Sequence, residues 1–105
     1  MADGMHGGIE VIDVAQHQRF EIRERGRLLG LADYRMGDGT IDFVHTEIAP
    51  ERRNQGLASL LVRCALDDVR ARERFKVIAS CRYVARWIDA HPSYQDLRGS
   101  PTADA

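Results

Sequence analysis

Glu47-Ile48-Ala49-Pro50-Glu51-Arg52-Arg53-Asn54-Gln55-Gly56-Leu57-Ala58-Ser59-Leu60-Leu61 reads as a strand end, a short basic loop and the first turns of an amphipathic helix. Pro50 stops the strand because it cannot donate to a sheet ladder. Gly56 tolerates a positive φ and lets the backbone approach a partner closely. From Leu57 the apolar residues Leu57, Leu60, Leu61, Cys64 and Ala65 recur at helical spacing. A helix start presents unpaired N–H groups and partial positive charge, and Arg52 and Arg53 add full charge just ahead of it. The stretch is therefore a site for an anion, with phosphate the natural occupant.

The rest of the chain arranges itself around this junction. Upstream, Arg19–Glu24 alternates with Phe20 and Ile22 on one face. Arg25-Gly26-Arg27 is a turn. Leu28–Met36 is a second strand with apolar residues on both faces, the pattern of a central strand covered on both sides. Gly37-Asp38-Gly39 turns into a third strand, Thr40–Ile48. Strict alternation along it puts Ile41, Phe43, His45 and Glu47 on one face and Asp42, Val44, Thr46 and Ile48 on the other. Ahead of this meander, Ile9–Val14 is either a short strand or an extended lead-in.

Downstream, the helix runs from about Gln55 to Arg72 with Arg63, Asp67, Arg70 and Glu73 on its outer face. Cys64 sits on the apolar stripe and reads as a buried structural thiol. Phe75–Ser80 is short, apolar and β-branched, so it reads as a buried strand. The right-handed crossover rule makes it parallel to the third strand. Arg82–Ala90 forms a second helix with Val84, Trp87, Ile88 and His91 on one stripe, ended by Pro92. The fold class is α+β: an antiparallel meander plus one parallel strand, packed against two helices. The expected organisation is one domain over residues 9–98, with tails at 1–8 and 99–105.

Composition excludes several classes. A chain of 105 residues holds one domain with a real core, and a net charge of −1 gives no global attraction to nucleic acid or anionic lipid. No apolar run approaches a membrane span or a signal peptide. Two cysteines, Cys64 and Cys81, are too few for a disulfide framework, so free thiols and a cytoplasmic setting are expected. Sequence leaves the molecule as a monomer or a weak homo-oligomer.

Arg53-x-x-Gly56-x-Ala58 resembles the Q/R-x-x-G-x-G/A motif of the GNAT acyl-CoA transferases. Downstream, Cys81-x-Tyr83-Val84-x-x-Trp87-Ile88-x-x-His91-Pro92-x-Tyr94 is similar to a run in the small single-domain GNAT-like proteins. Together they make the chain, from Arg19 to Leu97, look like a reduced GNAT fold. The resemblance implies that Arg52, Arg53, Asn54, Gln55, Gly56, Leu57, Ala58 and Ser59 hold the pyrophosphate of acetyl-CoA. It implies that Glu47 and Ile48 pair through their backbone with the pantetheine arm. Arg82 stands where larger members place a CoA-contacting Asn, and Asp89 where they carry a Tyr as general acid, so the usual acid for the leaving thiolate is missing. No metal is implied.

For catalysis the resemblance points to the end of the third strand. His45 reads either as a general base near the thioester or as a histidine bonded to its own sheet. Glu47 is a carboxylate placed to deprotonate an amine, or a plain surface glutamate. Backbone N–H groups near His45 and Thr46 would stabilise the oxyanion. Cys81, at the start of the second helix, reads either as an acetyl acceptor or as a small packing residue at a strand end. His91 is expected to cap carbonyls at a helix end, and Tyr83 and Tyr94 to pack. The implied activity is an acetyl-CoA-dependent N-acetyltransferase acting on an amine presented by a larger molecule such as a protein. The alternatives are a non-catalytic module that holds CoA or acyl-CoA for a partner and a small interaction domain without cofactor.

Overall fold

The computed structural model describes residues 7–99. A five-stranded sheet runs in the order β1 (Ile9–Val14), β2 (Arg19–Glu24), β3 (Arg27–Met36), β4 (Thr40–Ile48) and β5 (Lys76–Ala79). The first four are antiparallel neighbours and β5 is parallel to β4. Helix α1 (Leu57–Arg72) crosses between β4 and β5, and α2 (Arg82–Asp89) follows β5. This is the expected α+β plan, with Ile9–Val14 settled as a strand. Residues 1–6 and 100–105, including His6 and most of both expected tails, lie outside the described residues. Gly99 is described and donates from its N–H to Val77 O at 2.8 Å, so the chain at that point is tied to β5 rather than frayed.

One core lies between the sheet and the helices. Phe20, Ile22, Ala32, Tyr34, Ile41 and Phe43 supply the sheet side; Leu61, Ala65, Leu66, Val84 and Ile88 supply the helix side. Phe20, Tyr34 and Phe43 pack as a ring trio with centroids 5.6 to 6.1 Å apart. The opposite face of the sheet is not core. Leu28 is 45% exposed and Leu31 only half-buried, so β3 is covered on one face, not two. The apolar residues that suggested double cover are explained by a bulge. Ile22 faces Gly30 and Arg23 faces Leu28, which leaves Leu29 as an extra residue turned into the core.

A second bulge matters more. Tyr34 faces Phe43, but Asp33 faces His45, so Val44 is inserted in β4. The alternation slips by one there. Ile41 and Phe43 point into the core; beyond Val44 the core side is taken by Thr46, opposite Ala32, and Ile48, opposite Gly30. His45 and Glu47 are thereby turned to the open face, where both are exposed. The expectation that Ile41, Phe43, His45 and Glu47 share a face is overturned by that one residue. The slip also avoids burying an imidazole and a carboxylate among aromatic rings, which is costly.

Candidate functional site

The bulge coincides with the point where β4 and β5 part. Pairing between them ends at Phe43 and Ala79. Ser80 donates from its N–H and hydroxyl to the Asp42 carboxylate at 3.1 and 2.9 Å, and Cys81 N–H donates to Phe43 O at 2.7 Å. The chain then turns into α2. From His45 to Ile48, β4 keeps β3 on one side and, among the described residues, has no strand on the other. An open strand edge of this kind offers its N–H and C=O groups to any extended molecule that lies along it.

That edge leads to the start of α1. A 3₁₀ turn at Pro50–Arg52 carries the chain round, Asn54 takes φ 65° and Gly56 takes φ 77°, and the helix begins at Leu57. Gly56 is the N-cap and brings no capping side chain, so the first N–H groups of α1 stay available. A cleft of about 630 Å³ joins the two features. His45, Thr46, Glu47 and Ile48 form one wall. Arg52, Arg53, Asn54, Gly56, Leu57, Ala58 and Ser59 form the end, and Tyr83 closes the side from α2.

Most of the sequence-predicted residues therefore meet in one place. Three do not line the cleft: Gln55, Arg82 and Cys81. Gln55 accepts a hydrogen bond from Arg52 Nε at 2.9 Å, and Arg82 is exposed on the first turn of α2. Cys81 is half-buried behind Thr46, its Sγ 3.5 Å from Thr46 Oγ1.

The two arginines differ. Arg52 donates from Nη1 to Glu24 on β2 at 2.8 Å, so its charge is already matched and its job is to tie the loop to the sheet. The same hydrogen bond, with Arg52's charge, holds the Glu24 carboxyl below its ordinary range. Arg53 is exposed, with a single long bond from Nε to Ile48 O at 3.4 Å, and is the cation free to turn to a ligand.

On the open face His45 Nε2 and Glu47 Oε1 lie 2.8 Å apart. Both side chains are more than half exposed, so the pair is accessible rather than structural. Tyr83 was expected to pack; instead it is 40% exposed on the cleft wall, and burial of the remainder pushes its phenol up. Its presence in the Cys81-x-Tyr83 run was the signal available from sequence. Asp89 is bound to Arg98 at 2.6 Å at the far end of α2 and takes no part.

The elements around the cleft are well braced. Trp87 Nε1 donates to Ser59 Oγ at 2.8 Å, which joins α2 to the first turn of α1. His91 stacks on Trp87 with centroids 3.7 Å apart and donates from Nδ1 to Trp87 O at 2.6 Å, the expected capping role. Tyr94 is buried and donates to Asp67 at 2.8 Å. Cys64, by contrast, is half-exposed and lines a separate groove with Asp13, Asp67 and Asp68. Among the described residues no cluster of His, Cys, Asp or Glu could hold a metal. No helix among them is long and apolar enough to cross a membrane.

Comparison with known proteins agrees with this geometry. Residues 19–97 match the sequence profile described as GCN5-related N-acetyl-transferase. Protein NATD1 of Mus musculus is 32% identical over 94 residues, 87% of this chain and 84% of that protein. Protein NATD1 of Homo sapiens is 31% identical over 85 residues, 78% of this chain and 74% of that one. The solution structure of a GCN5-like protein from Staphylococcus aureus superposes with a TM-score of 0.68 at 24% identity, covering 94% of this chain and 96% of that one, which shows the shared fold. A profile match over most of the chain, on a sheet that opens beside a glycine-capped helix, has one reading: the chain belongs to the GCN5-related N-acetyltransferase family.

Proposed function

We propose that the chain is an acetyl-CoA-dependent N-acetyltransferase whose acceptor is an amine carried by a larger molecule. The observation that carries this reading is the continuous path from the open edge Val44–Ile48 to the free N–H groups at Gly56–Ser59. The pyrophosphate of CoA sits on that helix start, with Arg53 as its free cation. The pantetheine arm lies along Glu47 and Ile48 as an added strand. The thioester then falls near Thr46, between the His45–Glu47 pair and Tyr83.

In the reaction the amine nitrogen attacks the thioester carbonyl carbon and forms the C–N bond. The carbonyl oxygen takes negative charge, met by backbone N–H groups near His45 and Thr46. The C–S bond breaks as the carbonyl reforms. The proton lost by the amine passes to the His45–Glu47 pair, and Tyr83 is the donor placed to protonate the departing thiolate. Cys81, behind Thr46, borders the acyl end and is the residue to test for a covalent detour. The cleft is open, and His45 and Glu47 are exposed, which suits an amine presented by a protein or peptide.

The test is CoA release from acetyl-CoA in the presence of a panel of peptides and small amines. Amine-dependent release that falls in Glu47→Gln supports the enzyme. Binding of CoA without release with any amine supports the alternative, a module that holds acyl-CoA for a partner. Alkylation of Cys81 by iodoacetamide that acetyl-CoA suppresses would put the thiol beside the thioester; full activity in Cys81→Ala would exclude it as a nucleophile.

A further inference from the structure

Gly30 has no turn to make and does not adopt a left-handed φ, yet it is buried in the middle of β3. A glycine in a strand interior gives up stability unless something approaches where its side chain would be. Here the something is the end of β4. A Cβ at Gly30 would lie 2.5 Å from Glu47 O, 2.5 Å from Ile48 Cδ1 and 3.2 Å from Ile48 Cα. Two of these three atoms are backbone and cannot rotate away. The neighbouring bonds draw the same segment in: Ala49 N–H donates to Leu29 O at 2.7 Å, and Leu29 is the bulge residue of β3.

From this contact we infer that Gly30 is a positioning residue for the cofactor cleft. The absence of its side chain lets Glu47 and Ile48 settle onto β3, which holds the open edge of β4 back from α2 and keeps the groove wide enough for an extended arm. A side chain at Gly30 pushes the same two residues off β3, and Ile48, whose C=O faces the open edge toward Arg53, moves with them. The inference rests on the proposed function, in that the arm along Glu47 and Ile48 is that of CoA.

The test compares Gly30→Ala with Gly39→Ala. Gly39 has φ 76° and nothing within 4 Å of a Cβ, so its substitution strains a hairpin turn far from the contact. Calorimetric titration with CoA and melting are measured for both. Gly30→Ala is expected to weaken CoA at least tenfold and to shift the amide resonances of Glu47 and Ile48 without ligand; Gly39→Ala is expected to lower the melting temperature with CoA affinity unchanged. If Gly30→Ala does not fold, Gly30→Ala with Ile48→Ala removes the side-chain part of the clash. That double variant must bind CoA more weakly than Ile48→Ala alone, because the Glu47 O contact remains. A folded Gly30→Ala with native affinity, a double variant equal to Ile48→Ala, or failure of both to fold would overturn the assignment. An unsubstituted chain that does not bind CoA would overturn the proposed function instead, and the ligand-free resonances would still report on the contact.

Discussion

From Ile41 to Phe43, β4 is paired on both sides, to β3 and to β5; from His45 to Ile48 it is paired, among the described residues, to β3 alone. The first half buries Ile41 and Phe43 at 2% and 1% exposure, while the second half shows His45 and Glu47 to solvent. One inserted residue, Val44, separates them. The difference shows how a small sheet can carry a site without a separate domain for it. The rigid half fixes where the strand is, and the bulge re-aims the next side chains and ends the pairing. The open half is left with unspent backbone groups.

The two halves should fail differently when mutated. Phe43→Ala removes one ring of the aromatic trio and should cost about 3–5 kcal/mol of stability, measured by urea unfolding. Such a loss would lower activity only through the folded fraction. Glu47→Gln, four residues further along the strand, should leave stability within about 0.5 kcal/mol, as for other exposed changes. Turnover should fall roughly 10²-fold or more if the carboxylate takes part in proton removal. A Glu47→Gln that melts early with normal turnover would erase the contrast.

The helix end of the cleft gives the next effect. CoA at 100 times its dissociation constant should stabilise the fold by about 2.7 kcal/mol, read as a rise in melting temperature. Gly56→Glu should abolish that rise, because a carboxylate would stand where the pyrophosphate binds. Gly56→Ala should lose about 1–2 kcal/mol to its φ of 77° but keep some of the rise, since nothing lies within 4 Å of the new methyl.

How much of this was legible in the sequence differs between the same two halves. Phe20, Ile22, Ile41 and Phe43 alternate cleanly, and the turns at Gly26 and Gly39 gave strand order and hairpins directly. The loop from Pro50 to Gly56 announced a helix start behind two arginines and a glycine through local chemistry alone. The bulge was not announced as plainly. Its trace is a change of parity: apolar side chains stand at 41 and 43, then at 44 and 48. A strict alternation read through that change put His45 and Glu47 on the core side. The Arg52–Glu24 pair spans 28 residues, and no local pattern encodes it. Tyr83 shared its motif with packing aromatics, and only the wall of the cleft separates its role from theirs.

Acid should act on the open face of the sheet, where Glu21 lies opposite Leu31 on the neighbouring strand. Burial alone would push the Glu21 carboxyl up, but hydrogen bonds from Arg23 and Arg19 outweigh it and hold the group below its ordinary range. A depressed carboxyl contributes stability that is complete above its unfolded value, near 4, and lost as pH falls through the folded value. Glu21→Gln should therefore cost about 1.5 kcal/mol at neutral pH, and the gap to the unsubstituted protein should close in acid. Melting curves between pH 7 and pH 3 would show it.

The smallest effect separates the loop arginines. Arg53→Ala should weaken CoA and flatten the salt dependence of its affinity, because its charge is free for the ligand. Arg52→Ala should act on stability, since its charge is held by Glu24, and Glu24→Gln should mimic it. Equal loss of CoA affinity in both arginine variants would show that Arg52 leaves Glu24 for the ligand.

The measurement that bears most directly on the site is a titration of CoA into ¹⁵N-labelled protein, followed by amide resonances. The arrangement of β4 and α1 predicts the largest shifts at two places together: Val44 to Ile48 along the open edge, and Gly56 to Ser59 at the helix start. Thr40 to Phe43 should hardly move, because those amides are already spent in the sheet. No shifts at millimolar CoA, or shifts centred on the separate groove between β1 and α1 around Asp13 and Cys64, would contradict it.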